Sequence, residues 1–316
     1  MPPLARPPFY KSLAPLLQWP ALPRPVDWSG VFGRRAPLTL EIGTGNGEFM
    51  ARTAAAEPDH DFVGIDLRWS SIKRVLRNVA KAQLANVRLV NDDVRPFLER
   101  AFAPRSLARV FVLFPCPWRK EQHAHHRLFS RQFLATLNPR LVDGGEIVLV
   151  TDWTPFAEWT LANVPGSGFR VGTTLVPARL DTKYERKWAE QGQQQFHELH
   201  LTKIDHLASP FPEDLPLNPP LLDAVDLDRL APVDRLGEEA ICFKEIVRDR
   251  ERQVALIRTV VVEEPLTQHL WIAVARGEDG KFWVMPARGC QTIPTAGVQQ
   301  ALELIAQAGR ESVKPA

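Results

Sequence analysis

The sequence predicts an α/β chain: a doubly wound, mostly parallel sheet followed by a small C-terminal α+β domain. Three observations carry this. Short apolar runs alternate strictly with amphipathic helical patterns from about residue 37 to 164. Glycines and acids cluster where those runs end, the place where open α/β sheets bind ligands. After about Ile204 the composition shifts to proline and acid, and the alternation stops.

Residues 1–36 are proline-rich and read as an extended lead-in, with a turn of helix near Leu13–Gln18. PLTLEIG (37–43) is a buried-strand pattern ending in glycine. EFMARTAAAEP follows as a helix stopped by Pro58. DFVGID (61–66) is the second strand. SSIKRVLRNVAKAQL (70–84) is an amphipathic helix with Ser70 or Ser71 as N-cap and Ile72, Val75, Leu76 and Val79 on one face. VRLVNDD (87–93), LARVFVLFP (107–115) and GGEIVLVTD (144–152) are strands. Helices are expected at 95–102, 127–141 and 154–164. The expected domains are a ligand-binding sheet domain at 37–207, a proline-rich linker at 208–235 and an α+β domain at 236–316. In the last of these, 238–264 holds two strands, 270–287 a hairpin around GEDG, and 297–309 a helix ending at glycine.

Composition narrows the class. Hydrophobic residues are 45% and charged residues 24%, as in an ordinary globular protein. No apolar run approaches the length of a membrane span, and MPPLARPPFYKSL lacks the apolar core of a secretory signal. Cys116, Cys242 and Cys290 lie far apart, which suits a reducing compartment and argues against a cysteine zinc site. The cytoplasm is the expected location. The net charge of +2 hides a split: Arg68–Arg140 holds 15 Lys+Arg against 4 Asp+Glu, so the other residues carry a net −9. That basic middle is either a polyanion-binding face or a set of arginine-rich solvated helix faces.

The loop EIGTGNGEF (41–49) narrows the ligand. Gly43, Gly45 and Gly47 are spaced G-x-G-x-G, whereas a nicotinamide dinucleotide site places its third glycine one position later. Glu41 precedes the loop and would repel a pyrophosphate. It suits a cationic, amino-acid-bearing ligand, and S-adenosyl-L-methionine (SAM) is one. Asp66 ends the second strand, where an acid reaches ribose hydroxyls. Asp93 ends the third, where it can meet the adenine amino group. The expected cofactor is SAM, held by a Rossmann-like sheet.

On these and further motifs the chain resembles the tRNA (guanine-N7)-methyltransferases of the bacterial TrmB type. The motifs are LEIGTGNGEF (40–49), FVGID (62–66), FPCPWRKEQHAHHR (114–127), TDWTPFAEW (151–159) and TKYERKW (182–188), and the likeness spans about residues 30–204. The resemblance implies a class I SAM-dependent enzyme, with its methyltransferase domain at 37–207, that methylates N7 of the variable-loop guanosine at position 46 of tRNA. It implies SAM binding by Glu41, Asp66 and Asp93, with Gly43, Gly45, Asn46 and Gly47 forming the loop. It implies guanosine binding by Lys120, Asp152, Thr182, Lys183, Tyr184 and Glu185, with Asp152 catalytic. Arg119, Gln122, His123, His125, His126 and Arg127 are expected to touch RNA. Trp118 or Trp153 either stacks on the base or belongs to the core.

N7 of guanine carries a lone pair and no proton, so the reaction requires alignment more than a base. Asp152 and Glu185 are the acids expected to meet the purine. One position departs from the family: Cys116 stands where the family writes aspartate, at the end of the fourth strand. It replaces a residue with catalytic and cofactor-lining roles. Cys116 is then a tolerated wall of the pocket, a covalent nucleophile acting on another RNA base, or the mark of an impaired tRNA-binding homologue. The three histidines of 123–126 lack the spacing and the acid or cysteine partners of a zinc site, so no metal is expected. The expected partner is tRNA, with no membrane, and the chain is expected to be a monomer. The C-terminal domain carries no readable motif; it adds either tRNA contacts or stability.

Overall fold

The computed structural model describes residues 12–237 and 239–314; the start of the expected lead-in, 1–11, lies outside them. The chain divides near Pro212 into two compact units.

The first unit is built on seven strands: β1 (Leu38–Ile42), β2 (Asp61–Ile65), β3 (Val87–Val90), β4 (Leu107–Leu113), β5 (Leu141–Thr151), β6 (Phe169–Pro177) and β7 (Gln195–Lys203). Their order in the sheet is β3-β2-β1-β4-β5-β7-β6. The first five pair in parallel, and β7 runs antiparallel to both β5 and β6. The parallel part follows the apolar runs of the sequence, since strands covered on both faces need no alternation. The antiparallel hairpin at 169–203 has no counterpart among the elements expected from the sequence. β6 alternates weakly and is exposed over most of its length, so it lacks the apolar run that marks a central strand.

Helices fill both faces: α1 (Trp28–Phe32), α2 (Glu48–Ala56), α3 (Trp69–Lys81), α4 (Val94–Ala101), α5 (Arg131–Leu137), α6 (Thr154–Asn163) and α7 (Lys183–Glu190). The buried side of α3 is the expected one, Ile72, Val75, Leu76 and Val79, packed with Met50 of α2 and Phe62 of β2. Its N-cap position is Arg68, in extended conformation with no side-chain cap, rather than Ser70 or Ser71. The helix expected at 127–141 is confined to 131–137 plus one 3-10 turn. Arg127 is extended, Phe129 has φ +63°, and the Ser130 hydroxyl accepts the Phe133 N–H as the true N-cap. The lead-in is partly built into this unit. Leu16 bridges to Leu89, covering the outer edge of β3. Trp28 stacks on Phe102 at 5.1 Å and meets Phe97 edge-on.

The second unit is a five-stranded antiparallel sheet. Its strands are β8 (Leu221–Leu222), β9 (Ala240–Asp249), β10 (Val254–Glu263), β11 (Leu266–Arg276) and β12 (Phe282–Pro286), in the order β8-β12-β11-β10-β9. One helix, α8 (Ala296–Ser312), packs Val298, Leu302 and Ile305 on its apolar side. The proline-rich stretch expected as a linker contributes Leu222, Leu227 and Leu230 to this core. Gly309 lies inside α8 and does not end it. A Cβ there would sit 2.7 Å from Leu222 Cδ1, so the glycine serves close packing.

Candidate active site

The site begins at the carboxyl end of β1. Glu41 is the fourth residue of a fully buried five-residue strand, and its Oε2 has no hydrogen-bond partner among the described residues. Burial, and then the neighbouring Asp66 carboxylate, hold its pKa well above the ordinary glutamate range. A buried, unpaired carboxylate is costly unless a ligand completes it. The chain then turns through Gly43 (φ +77°) and Gly45 (φ +56°), and a Cβ at Gly43 would meet nothing within 4 Å. At Gly47 the opposite holds: a Cβ would press into Val75 at 2.6 Å, so this glycine lets α2 and α3 close together. Two of the three loop glycines therefore leave open space and the third packs. Asp66 braces the loop from β2: its Oδ2 accepts the Gly45 N–H at 3.1 Å and its Oδ1 the Arg68 N–H at 2.8 Å. Asn46 ties the loop to α3, its carbonyl accepting the Asn78 amide at 2.9 Å.

A cleft lies between this loop and the start of α7. Glu41, Gly43, Thr44, Gly45, Asn46 and Phe49 line one side; Leu113 and Phe114 close the end; Thr182, Lys183 and Tyr184 line the other. The 179–186 strap that supplies this side is organised by Glu185, which is only 1% exposed. Its Oε1 accepts the N–H groups of Arg179 (2.9 Å) and Leu180 (3.1 Å), its Oε2 that of Thr182 (3.4 Å), and Thr182 Oγ1 accepts the Glu185 N–H (3.1 Å). This is a capping box, Thr-x-x-Glu. Glu185 was expected to meet the purine; in this structure its oxygens accept backbone N–H groups of the strap and so shape it. The signal is present in the sequence, since TKYE (182–185) spells the box. The strap is also pinned to α2. Arg186 donates to Glu48 Oε2 at 2.5 Å and Asp181 Oδ1 at 2.6 Å, and Arg52 donates to the Leu180 carbonyl. Asp181 has φ +45°, a left-handed conformation that costs an L residue and that these bonds hold in place.

Across the sheet, FPCPW leaves β4 while TDW leaves β5. The strands are in register there, Leu113 opposite Val150, and the Phe114 N–H donates to the Val150 carbonyl at 2.8 Å. Cys116 and Asp152 therefore stand at neighbouring strand ends. Cys116 is exposed. The Asp152 side chain is 9% exposed, with Oδ2 3.6 Å from Arg119 Nη2. Phe114 (φ +52°) and Trp118 (φ +44°) bend the intervening loop sharply. Arg127 secures it. Its guanidinium donates to the carbonyls of Pro117 and Trp118 and to Glu121 Oε1 at 2.9 Å, and lies over Trp153 at 5.5 Å and Trp159 at 5.2 Å. Expected from the sequence as an RNA contact, it has a side chain only 5% exposed and clamps the loop. Trp153 has Arg119 near it at 5.7 Å as well, so two guanidiniums attend its ring. Trp118 packs on His126 at 4.7 Å and stays 38% exposed. Desolvation by its neighbours, then the charges of His125, His123 and Arg95, lower the pKa of the exposed His126 below the ordinary histidine value.

Of the expected cofactor and guanosine residues, the cleft brings together Glu41, Gly43, Gly45, Asn46, Thr182, Lys183 and Tyr184. Asp66 stands behind the loop. Lys120, Arg119, Gln122, His125 and His126 are exposed on the adjoining loop, and His123 is half-buried there. Asp93 also caps α4, its Oδ1 accepting the Arg95 N–H at 2.8 Å and its Oδ2 pairing with Arg95 at 3.3 Å. Four residues of the cleft wall were not expected from the sequence: Thr44, whose buried hydroxyl has no partner among the described residues, Phe49, Leu113 and Phe114. A G-x-G-x-G pattern points to its glycines and says nothing of the side chains between them.

Residues 35–198 match a family model described as "Putative methyltransferase". A tRNA (guanine-N(7)-)-methyltransferase of Chlorobium phaeobacteroides is 38% identical over 170 residues, covering 54% of this chain and 83% of that protein. One from Thermus thermophilus is 35% identical over 267 residues, 82% of this chain and 84% of that protein, a share larger than the first compact unit. One from Pseudomonas savastanoi is 38% identical over 175 residues, covering 53% of this chain and 72% of its own length. The chain belongs to the tRNA (guanine-N7)-methyltransferase family.

Proposed function

We propose that the chain methylates N7 of the variable-loop guanosine at position 46 of tRNA, using SAM, and that residues 37–207 carry the chemistry. The observation that carries this reading is the buried, unpartnered Glu41 carboxylate facing a glycine-lined cleft. That donor set fits a ligand with a cationic amino-acid end and no phosphates, and the relatives' printed names supply the acceptor. SAM, when bound, supplies an electrophilic methyl group. Glu41, Gly43, Gly45 and Asn46 hold it, with Asp66 fixing the loop.

The protein's own part is positioning. N7 bears no proton, so no group has to remove one, and the rate comes from aligning the purine and excluding water. Asp152 accepts hydrogen bonds from the guanine N1–H and amino groups, and its charge stabilises the cation that develops on the ring. Arg119, 3.6 Å away, orients the Asp152 side chain until the base arrives. Thr182, Lys183 and Tyr184 close the cleft around the reacting atoms. Lys120 and the exposed histidines meet phosphates. Cys116, exposed beside Asp152, is a tolerated wall residue. No described helix is long and apolar enough to cross a membrane, and the reading places the enzyme in the cytoplasm as a monomer.

The test is incubation with methyl-labelled SAM and unmodified tRNA, followed by mapping of the label. Label at N7 of that guanosine is the expected result. Label on a pyrimidine, trapped covalently through Cys116, would give the cysteine the nucleophile's role. Absence of label on every RNA would leave a binding protein.

A further inference from the structure

The basic middle of the sequence is larger than the 119–127 loop accounts for, and much of it lies on α3. That helix contains no acidic residue. Lys73, Arg74, Arg77 and Lys81 are exposed along one stripe at helical spacing, on the side opposite the buried Ile72, Val75, Leu76 and Val79. Arg68 precedes them at the helix start. Among the described residues, Arg68, Lys73, Arg74 and Arg77 have no carboxylate within ion-pair distance. Elsewhere in the same unit some exposed arginines are paired, Arg186 with Glu48 and Asp181 and Arg105 with Asp143, while single ones such as Arg131 and Arg170 are not, among the described residues; α3 differs in gathering several unpaired cations on one face.

Like charges three and four apart on a helix repel, so a stripe of this kind weakens its own helix unless an anion covers it. Just before the helix Leu67, 70% exposed, and in its first turn Trp69, 44% exposed, stand beside the cations. Exposed aromatic and cationic side chains side by side suit a nucleic-acid backbone with bases within stacking reach. The stripe is rigidly tied to the site. Val75 packs against Gly47, and Asn78 holds the Asn46 carbonyl of the cofactor loop. Arg68 lies two residues beyond Asp66, at the carboxyl edge of the sheet where Asp152 also stands.

We propose that the exposed face of α3 is a second RNA-docking surface, in which Lys73, Arg74 and Arg77 bind phosphates of the tRNA and fix its register on the cleft. This rests on the tRNA-methyltransferase reading above. Charge complementarity commits the face to a polyanion: the residues outside 68–140 carry a net −9, so phosphate chains are drawn to this band and repelled elsewhere.

The test is a K73Q/R74Q/R77Q variant, since glutamine keeps helix propensity while removing charge. Filter binding to unmodified tRNA, measured across a salt series, reads the surface without requiring catalysis. The expected result is at least a tenfold loss of affinity and a log–log salt slope shallower by roughly 2–3, at about one phosphate per cation. SAM affinity by calorimetry stays within twofold, which also shows that the fold is intact. R77Q alone shifts the slope the same way by about a third as much. The control R288Q/R310Q/K314Q removes the same charge from the acidic second unit. An unchanged slope in the α3 variant, or an equal loss in the control, overturns the proposal; the first outcome would fit an acidic protein partner for this face. If the wild type binds tRNA in this way yet transfers no methyl group, the catalytic reading fails and the docking surface stands.

Discussion

Two walls flank the site, and they are held by opposite chemistry. The 115–127 loop after β4 is gathered by a buried cation: Arg127 donates to the carbonyls of Pro117 and Trp118. The 179–186 strap before α7 is gathered by a buried anion: Glu185 accepts N–H groups from Arg179, Leu180 and Thr182. In each case the fold buries one charge and satisfies it with backbone dipoles, since a buried charge without partners would be untenable. The exposed members of the same motifs, Arg119 and Lys120 on one wall and Lys183 and Tyr184 on the other, are left to face ligands. Charged residues in a substrate motif thus divide by burial into those that hold the wall and those that use it.

The sharpest way to break this division is Asp152→Ala, because Asp152 belongs to the using class. Its single-turnover methyl transfer should fall by about 10²–10³ with the melting temperature little changed. A small loss would remove Asp152 from the guanine contacts. Arg127→Ala should act through stability instead. Losing the guanidinium removes the partner of two part-buried carbonyls and the packing on Trp153 and Trp159, and should cost about 1–2 kcal/mol in urea unfolding. Arg127→Lys should not restore it, because an ammonium lacks the planar fork that reaches both carbonyls and Glu121 together. If Arg127→Ala unfolds like the wild type but binds tRNA weakly, Arg127 is an RNA contact after all.

Glu185→Ala removes the acceptor for three N–H groups and should cost about 1–3 kcal/mol, with the KM for SAM rising because the strap loosens. Glu185→Gln keeps one acceptor oxygen and should recover part of both. A change confined to the tRNA kcat, with KM for SAM untouched, would return Glu185 to the purine.

Glu41 gives a milder effect with a definite sign. Its pKa in the folded apo protein lies above the unfolded value, so the protonated form is favoured by folding. Its contribution to apo stability is full below the unfolded pKa near 4.5 and is lost as pH rises through the folded pKa. A cationic ligand selects the carboxylate, so SAM binding should release protons. Calorimetry in buffers of different ionisation enthalpy reads that number directly. Zero release in the wild type, or equal release in Glu41→Gln, would remove Glu41 from the cofactor's ammonium. The smallest effect is expected for Cys116→Ala: less than about a threefold change in kcat/KM, since an exposed wall residue leaves the alignment of N7 intact.

Much of this is legible without coordinates. The parallel strands announce themselves as short apolar runs, the glycine loop by its spacing, and α3 by its periodic Ile72, Val75, Leu76 and Val79. The antiparallel pair β6 and β7 is not, because β6 is an exposed edge strand and the inner β7 alternates polar and apolar residues, so neither leaves an apolar run. The Thr-x-x-Glu box at 182–185 is present in the letters, yet it reads equally as a substrate-binding motif, since the same residue types serve either use.

The order of letters is enough for the alternation of elements, the turn at 43–47, the basic band between 68 and 140, and the family to which these motifs point. All of these are properties of spacing along the chain, where periods of 2.0 and 3.6 residues decide which side chains share a face. What each charge does is settled by the folded chain. Glu185 and Arg127 are enclosed by segments that the fold brings around them. Asp93 turns to its own helix start. The Lys73–Arg77 stripe is left without acids because none of the described neighbouring elements places one there. The partners of Glu185, Arg127 and Asp93 lie close by in sequence, but only the folded path of each loop buries the charge and aims those backbone groups at it, and that determines whether a charge binds the protein or its ligand.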